Sequence, residues 1–201
     1  FMLTNALQIA GRGDEAEEML VQAYRSEQPK PTPASTRLLF SLATVRLFSG
    51  KFTAAYEAAE RLLREARAAQ LALLEGWAHD FLGRIDYERD CLGSAADHFA
   101  ALTERCYTHH RVCAVDGFAG SMFIAAVQGR TRAITEIGDA WRSYEESWSG
   151  LPSPIYYSAQ ARAALLTDDL AAARRWAAAF VAPLTAAPMI WLETSQITRI
   201  R

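Results

Sequence analysis

Apolar residues recur three and four apart along nearly the whole chain and do not alternate at two, so the pattern predicts helices and no strands. The helices come in pairs. Breaks at Gly11, Gly50, Asp90, Gly129 and Asp168 fall 39 or 40 residues apart, and each reads as the turn inside a helical hairpin. Two residues past each break stand Gly13, Phe52, Leu92, Thr131 and Leu170. Five residues past it stand Ala16, Ala55, Ala95, Ile134 and Ala173. A bulky side chain at the alanine position would push the two helices apart. The hairpin with Thr131 and Ile134 is the irregular one.

Element by element, Met2–Ala10 ends a first helix. Asp14 is expected to cap the next, with Glu17 completing a capping box, and that helix runs to about Ser26. Residues 28–34 are a proline-rich connector. A helix from Ser35 or Thr36 ends near Gly50, followed by Phe52–Ala69, Leu71–Arg89 and a core of Ser94–Thr103. Cys106–Val127 crosses into the fourth hairpin, which continues to about Ser147. Residues 148–154 form a second loop, then Ile155–Leu166 and Leu170–Val181 form the fifth hairpin. A loop around Pro183 and Pro188 leads to a last helix from about Ile190.

The run Leu82-Gly83-Arg84-Ile85-Asp86-Tyr87, followed by Leu92, Ala95 and Phe99, resembles a tetratricopeptide hairpin. Gly83 and Ala95 let two helices approach, and Tyr87 and Phe99 fill the space around the contact. One such hairpin cannot bury its own apolar face and needs neighbours. The expected fold is therefore all-α: a right-handed solenoid of about five tetratricopeptide-like hairpins plus a terminal helix. It forms a single repeat domain over 1–201, with repeats near 1–30, 35–70, 71–106, 110–148 and 153–183 and the start of another at 190–201. The chain opens and closes inside helical patterns, which predicts a piece of a longer protein.

Composition adds little to this except by exclusion. Hydrophobic residues at 51% and charged residues at 22% are ordinary for a soluble globular chain. A net charge of −2 provides no basic field for nucleic acid or anionic lipid. Cys91, Cys106 and Cys113 are too few for a disulfide framework, so a reducing cytoplasm is expected. Pro183 and Pro188 interrupt the most apolar stretch, and a membrane-crossing helix needs about 20 apolar residues. Phe1-Met2-Leu3 does not read as a signal peptide, because no basic segment precedes it.

The period also resembles the helical-repeat region of MalT-type regulators, the large ATP-binding members of the LuxR family. So do Leu82–Tyr87, the run Ala126-Val-Gln-Gly-Arg130, the run Asp168-Asp-Leu-Ala-Ala-Ala-Arg-Arg-Trp176 and the run Trp191–Arg199. The resemblance implies repeats that sense an inducer or a partner and pass the signal to a flanking ATPase and a helix-turn-helix domain. This stretch holds neither a phosphate-binding G-x-x-x-x-G-K-[ST] loop nor a recognition-helix pattern. The chain departs from the repeat pattern at Thr167-Asp168, where a glycine is usual, and at Asp86, where the aromatic falls one residue later. The alternative reading is a protein-interaction scaffold from another multidomain signalling protein.

In tetratricopeptide-like arrays the first helix of each pair lines a concave face. By register, that face carries Arg37, Phe40, Trp77, Asp80, Arg84, Tyr87, Asp116, Phe123 and Arg162. Aromatic residues beside Arg and Asp suit a small-molecule inducer or a peptide. The plainer reading makes Asp80 and Arg84 an ordinary helical pair and Trp77 and Phe123 core.

Cys106, His109, His110 and Cys113 share one face, but ligands from a single straight helix cannot close a tetrahedron around zinc. They read as a buried thiol pair with surface histidines. His79 and His98 stand apart from any Ser or Cys partner, so no catalysis is expected. Glu104, Arg105, Glu145 and Glu146 read as solvated helix-end charges. Arg61, Arg64 and Arg67, interleaved with Glu60 and Glu65, read as a solvated face. No metal or cofactor is expected.

Overall fold

The structure, a computed structural model, describes residues 2–27, 32–179, 192 and 193. Every regular element among them is a helix: α1 (Met2–Ile9), α2 (Gly13–Ser26), α3 (Pro33–Phe48), α4 (Phe52–Ala68), α5 (Ala72–Glu88), α6 (Leu92–Glu104), α7 (Arg111–Val127), α8 (Thr131–Ser149), α9 (Pro154–Leu166) and α10 (Leu170–Ala178). The expected loop around Pro183 and Pro188 and the helix from Ile190 fall outside the described residues, except for 192 and 193. Residues 28–31 of the proline-rich connector do so as well.

The predicted turns share one backbone closure. Gly11, Gly50, Asp90, Gly129 and Asp168 all have φ between 58° and 73°. The next N–H in each case reaches back to a carbonyl five residues earlier: Arg12 to Leu7, Lys51 to Arg46, Cys91 to Asp86, Arg130 to Ala125 and Asp169 to Ala164, at 2.8–2.9 Å. This left-handed closure satisfies orphan carbonyls at the end of the first helix and reverses the chain. Asp90 and Asp168 enter the region because a short polar side chain tolerates it better than most.

Two helix starts correct the sequence reading. Asp14 does not cap α2. The tight closure places Arg12 at the cap position with no side-chain bond, and Asp14 instead accepts from Lys51 Nζ at 2.6 Å. Glu17 accepts from Arg46 and Lys51, each at 2.7 Å, rather than completing a capping box. Helix α3 starts earlier than Ser35, at Pro33, because proline at the first helical position has no N–H to leave unpaired. Thr32 Oγ1 accepts from the Ser35 amide at 3.0 Å and Ser35 Oγ from the Thr32 amide at 2.8 Å, a reciprocal box. Ser153 and Pro154 open α9 in the same manner.

The packing separates into two compact units, residues 1–114 and 115–201. In the first, α1 to α6 pack each on the next, and α3 also touches α1 and α5. Leu7, Leu20, Leu39, Leu42, Leu62, Phe81 and Leu82 form its core. Ala16, Ala55 and Ala95 are fully buried, as the close approach requires. A side chain on Gly83 would bring its Cβ to 2.8 Å from the Phe99 ring, so glycine is what lets α5 lie against α6.

In the second unit, α8 packs on α9 and α9 on α10. Phe118 stacks on Trp141 at 6.0 Å, and Trp141 meets Tyr156 edge-on at 5.4 Å. No helix among the described residues is long and apolar enough to cross a membrane.

Candidate functional site

The first unit assembles half of the predicted stripe. Phe40 on α3 lies 5.3 Å from Trp77 and 5.7 Å from Phe81 on α5, and Trp77 packs 5.3 Å from the His110 ring. One turn along α5, Arg84 Nε donates to Asp80 Oδ1 at 3.0 Å. The spacing of this pair is ordinary but its burial is not: Asp80 is 0% and Arg84 8% exposed. Two charges taken out of water hold each other strongly, and removing either would strand the other. Tyr87 is half-buried at the end of α5, and Arg37 is exposed near the start of α3. Phe81 and His110 are the members of the aromatic group that the stripe did not include.

The second unit assembles the other half. Arg162 on α9 lies over the fully buried Phe123 ring of α7, 4.2 Å from its centroid. Its Nη1 donates to Glu193 Oε2 at 3.2 Å and to the Leu192 carbonyl at 3.4 Å. Ser158 Oγ donates to Glu193 Oε1 at 2.5 Å, and the Leu192 amide donates to Asp116 Oδ1 at 2.9 Å. Asp116, Phe123 and Arg162 therefore converge on one short stretch of backbone and its carboxylate. Glu193 escaped the sequence reading because nothing local to residue 193 announces a partner on α9.

Several polar groups read as solvated are buried. His109 is only 6% exposed, not a surface residue. Its ring lies against Gly76, where a Cβ would come to 2.9 Å, and neither ring nitrogen has a hydrogen-bond partner among the described residues. Glu145 is fully buried, accepting from Trp141 Nε1 at 3.1 Å, from Ser153 Oγ at 2.8 Å and from the Ser153 amide. Glu65 is buried beneath Tyr24, whose hydroxyl donates to it at 2.8 Å, while Arg61 closes it from outside at 3.0 Å. Glu65 and Glu145 are covered by other segments that also provide a partner, Tyr24 on α2 and Ser153 at the start of α9, whereas His109 is covered at Gly76 without one among the described residues. Cys106 and Cys113 are buried thiols, and no cluster of three metal-ligating side chains occurs among the described residues.

The histidines on α5 and α6 meet. His79 Nδ1 lies 3.0 Å from His98 Nδ1, and Arg67 Nη2 lies 3.0 Å from His79 Nε2. Burial, with help from His98 and Arg67, pushes the His79 pKa down to about 4. Ser94 Oγ donates to Asp86 at 2.5 Å, and His98 Nε2 stands 3.9 Å from the same carboxylate. The order is Ser–Asp–His, so the hydroxyl sits on a carboxylate and not on an imidazole. That is not the geometry of an activated nucleophile.

Compared with known proteins, the chain matches no family model, no curated protein and no solved structure.

Proposed function

We propose that this chain is the ligand-sensing or partner-binding repeat domain of a signal-responsive transcription regulator of the MalT type. In this reading the helical pairs continue as a right-handed tetratricopeptide-like solenoid and pass a signal to flanking ATPase and DNA-binding domains. One observation carries it: the first helices of the pairs hold charged side chains away from water beside aromatic rings. In α5 these are the buried Asp80 and Arg84 near Trp77; in α9 it is the half-buried Arg162 over Phe123. A packing scaffold alone has no need of buried charge, which stabilises little relative to hydrocarbon of the same volume. A face that recognises a polar inducer or peptide does need it, because preorganised charges discriminate ligands. Binding would act by favouring one packing of the helices over another.

The test is thermal unfolding of the protein against sugars, nucleotides and short peptides. A ligand at 100 times its dissociation constant adds about 2.7 kcal/mol. The shift should vanish in Trp77→Ala and in the double variant Asp80→Asn/Arg84→Gln. A shift that survives both removes the α5 face from consideration, and silence across the panel argues against a small-molecule inducer.

A further inference from the structure

A groove of about 290 Å³ lies where α8, α9 and α10 meet, inside the second unit. Gly138, Arg142, Tyr156, Gln160, Asp169 and Trp176 line it. It shares no residue with the stripe described above. Its floor is unusual for this chain. The position of Gly138, counted from the left-handed turn, is held by Leu20 on α2 and Ala59 on α4. That of Gln160 is held by Leu42 on α3 and Leu82 on α5, and by the small polar Ser121 on α7. Leu20, Ala59, Leu42 and Leu82 are buried and close their contacts with hydrocarbon. Here the glycine leaves space and an amide points into it. Most of the Gln160 side chain is buried, at 8% exposure, and its carboxamide makes no hydrogen bond within the described residues and faces the groove. The carboxamide is not sealed from solvent, so its donor and acceptor are presented to whatever fills the groove.

The groove is polarised along its length. At one end Arg142 Nη2 donates to Tyr156 Oη at 3.2 Å, and Trp176 stands edge-on to Tyr156 at 6.0 Å. At the other end is the Asp169 carboxylate, which caps α10 by accepting from the Ala172 amide at 2.8 Å. Gln160 lies between them along α9. Helix rise sets about 6 Å from Gly138 to Arg142 and about 10 Å from Gln160 to Thr167. An extended peptide advances about 3.3 Å per residue. We propose that this groove binds a short zwitterionic peptide of two or three residues. Its C-terminal carboxylate lies on Arg142, its amide on Gln160 and its ammonium toward Asp169, with an apolar C-terminal side chain beside Trp176.

The test is calorimetric titration of the protein with the tripeptide Gly-Gly-Phe, its C-terminal amide and its N-acetyl form. Saturable binding of the free tripeptide is expected, weakened about tenfold or more by amidation, which removes the charge facing Arg142. Gln160→Leu restores the residue type found at Leu42 and Leu82, so it should melt cooperatively while losing binding about tenfold or more. Gly138→Ala places a Cβ 2.6 Å from Gln160 Nε2, displacing the amide, and should do the same. Absence of saturable heat would overturn the proposal, leaving the groove to water. So would unchanged affinity in Gln160→Leu or for the amidated peptide. Trp77→Ala should leave this binding untouched, so failure here is separable from failure of the reading above.

Discussion

The Nδ1 atoms of His79 and His98 lie 3.0 Å apart where α5 packs on α6, and the groups around them assign every proton. The Arg67 guanidinium, 3.0 Å from His79 Nε2, can only donate. His79 Nε2 therefore accepts, its proton sits on Nδ1, and that N–H donates to His98 Nδ1. The His98 proton is left on Nε2, facing the Asp86 carboxylate at 3.9 Å. Both rings must be neutral for the chain of donors to hold.

Neutrality makes the fold acid-sensitive. Burial holds His79 at a pKa of about 4, below its ordinary 6.5, and His98 and His109 shift in the same direction for the same first cause. The unfolded chain thus binds more protons between these values, and stability falls as pH drops from 6.5 toward 4. For His79 alone the loss is on the order of 2 kcal/mol after allowing for partial solvent access. Urea midpoints at pH 7 and pH 5 should differ in wild type, and the difference should shrink but not vanish in His79→Gln, where His98 and His109 remain. Equal midpoints in wild type would show that the rings are not buried as neutral bases.

Gly83→Ala should destabilise by about 1–3 kcal/mol, because the new methyl would lie 2.8 Å from a fully buried Phe99 ring that has nowhere to move. Gly93→Ala is the control. Nothing lies within 4 Å of a Cβ there, and alanine at this helical position should be neutral or stabilise by up to about 1 kcal/mol. Denaturant titration of both separates packing from propensity.

The left-handed turns predict substitutions of opposite sign. Gly50→Ala has open space around it but a φ of +71°, so backbone strain alone should cost about 1 kcal/mol. Asp90→Gly relieves the same strain at φ 60° and should be neutral to stabilising, by up to about 1 kcal/mol once the added freedom of the unfolded chain is counted. Thermal melts of the two variants would contradict this account if both shifted downward equally.

Glu145→Ala removes the acceptor for the Trp141 indole and for both Ser153 donors at the start of α9. A stranded buried N–H and a loosened cap together should cost about 2–4 kcal/mol. Glu145→Gln keeps an acceptor oxygen and should lose less. Circular dichroism melts measure both, and an Ala variant as stable as wild type would place Glu145 in solvent.

The helices and their turns were legible because their causes are local. Helical periodicity, alanine five residues past four of the five breaks, and a Gly or Asp where φ must be positive all act within a few residues of chain. Hence Gly13, Phe52, Leu92, Thr131 and Leu170, read from spacing alone, are the first residues of α2, α4, α6, α8 and α10. The caps were less legible. Asp14 has the right chemistry for a cap but stands too late once the turn closes at Arg12.

What the sequence by itself determined, then, is the helical class, the pairing of helices and the residues that let them touch. Tertiary structure alone decided which polar groups leave water and whom they meet: Glu145 with Ser153, Glu65 with Tyr24, His79 with His98, Arg162 with Glu193, and Gln160 with an open groove. The reason is physical. A helical propensity is a property of neighbours in sequence. The fate of a carboxylate or an imidazole depends on whether a helix from elsewhere in the chain covers it and carries a matching donor or charge.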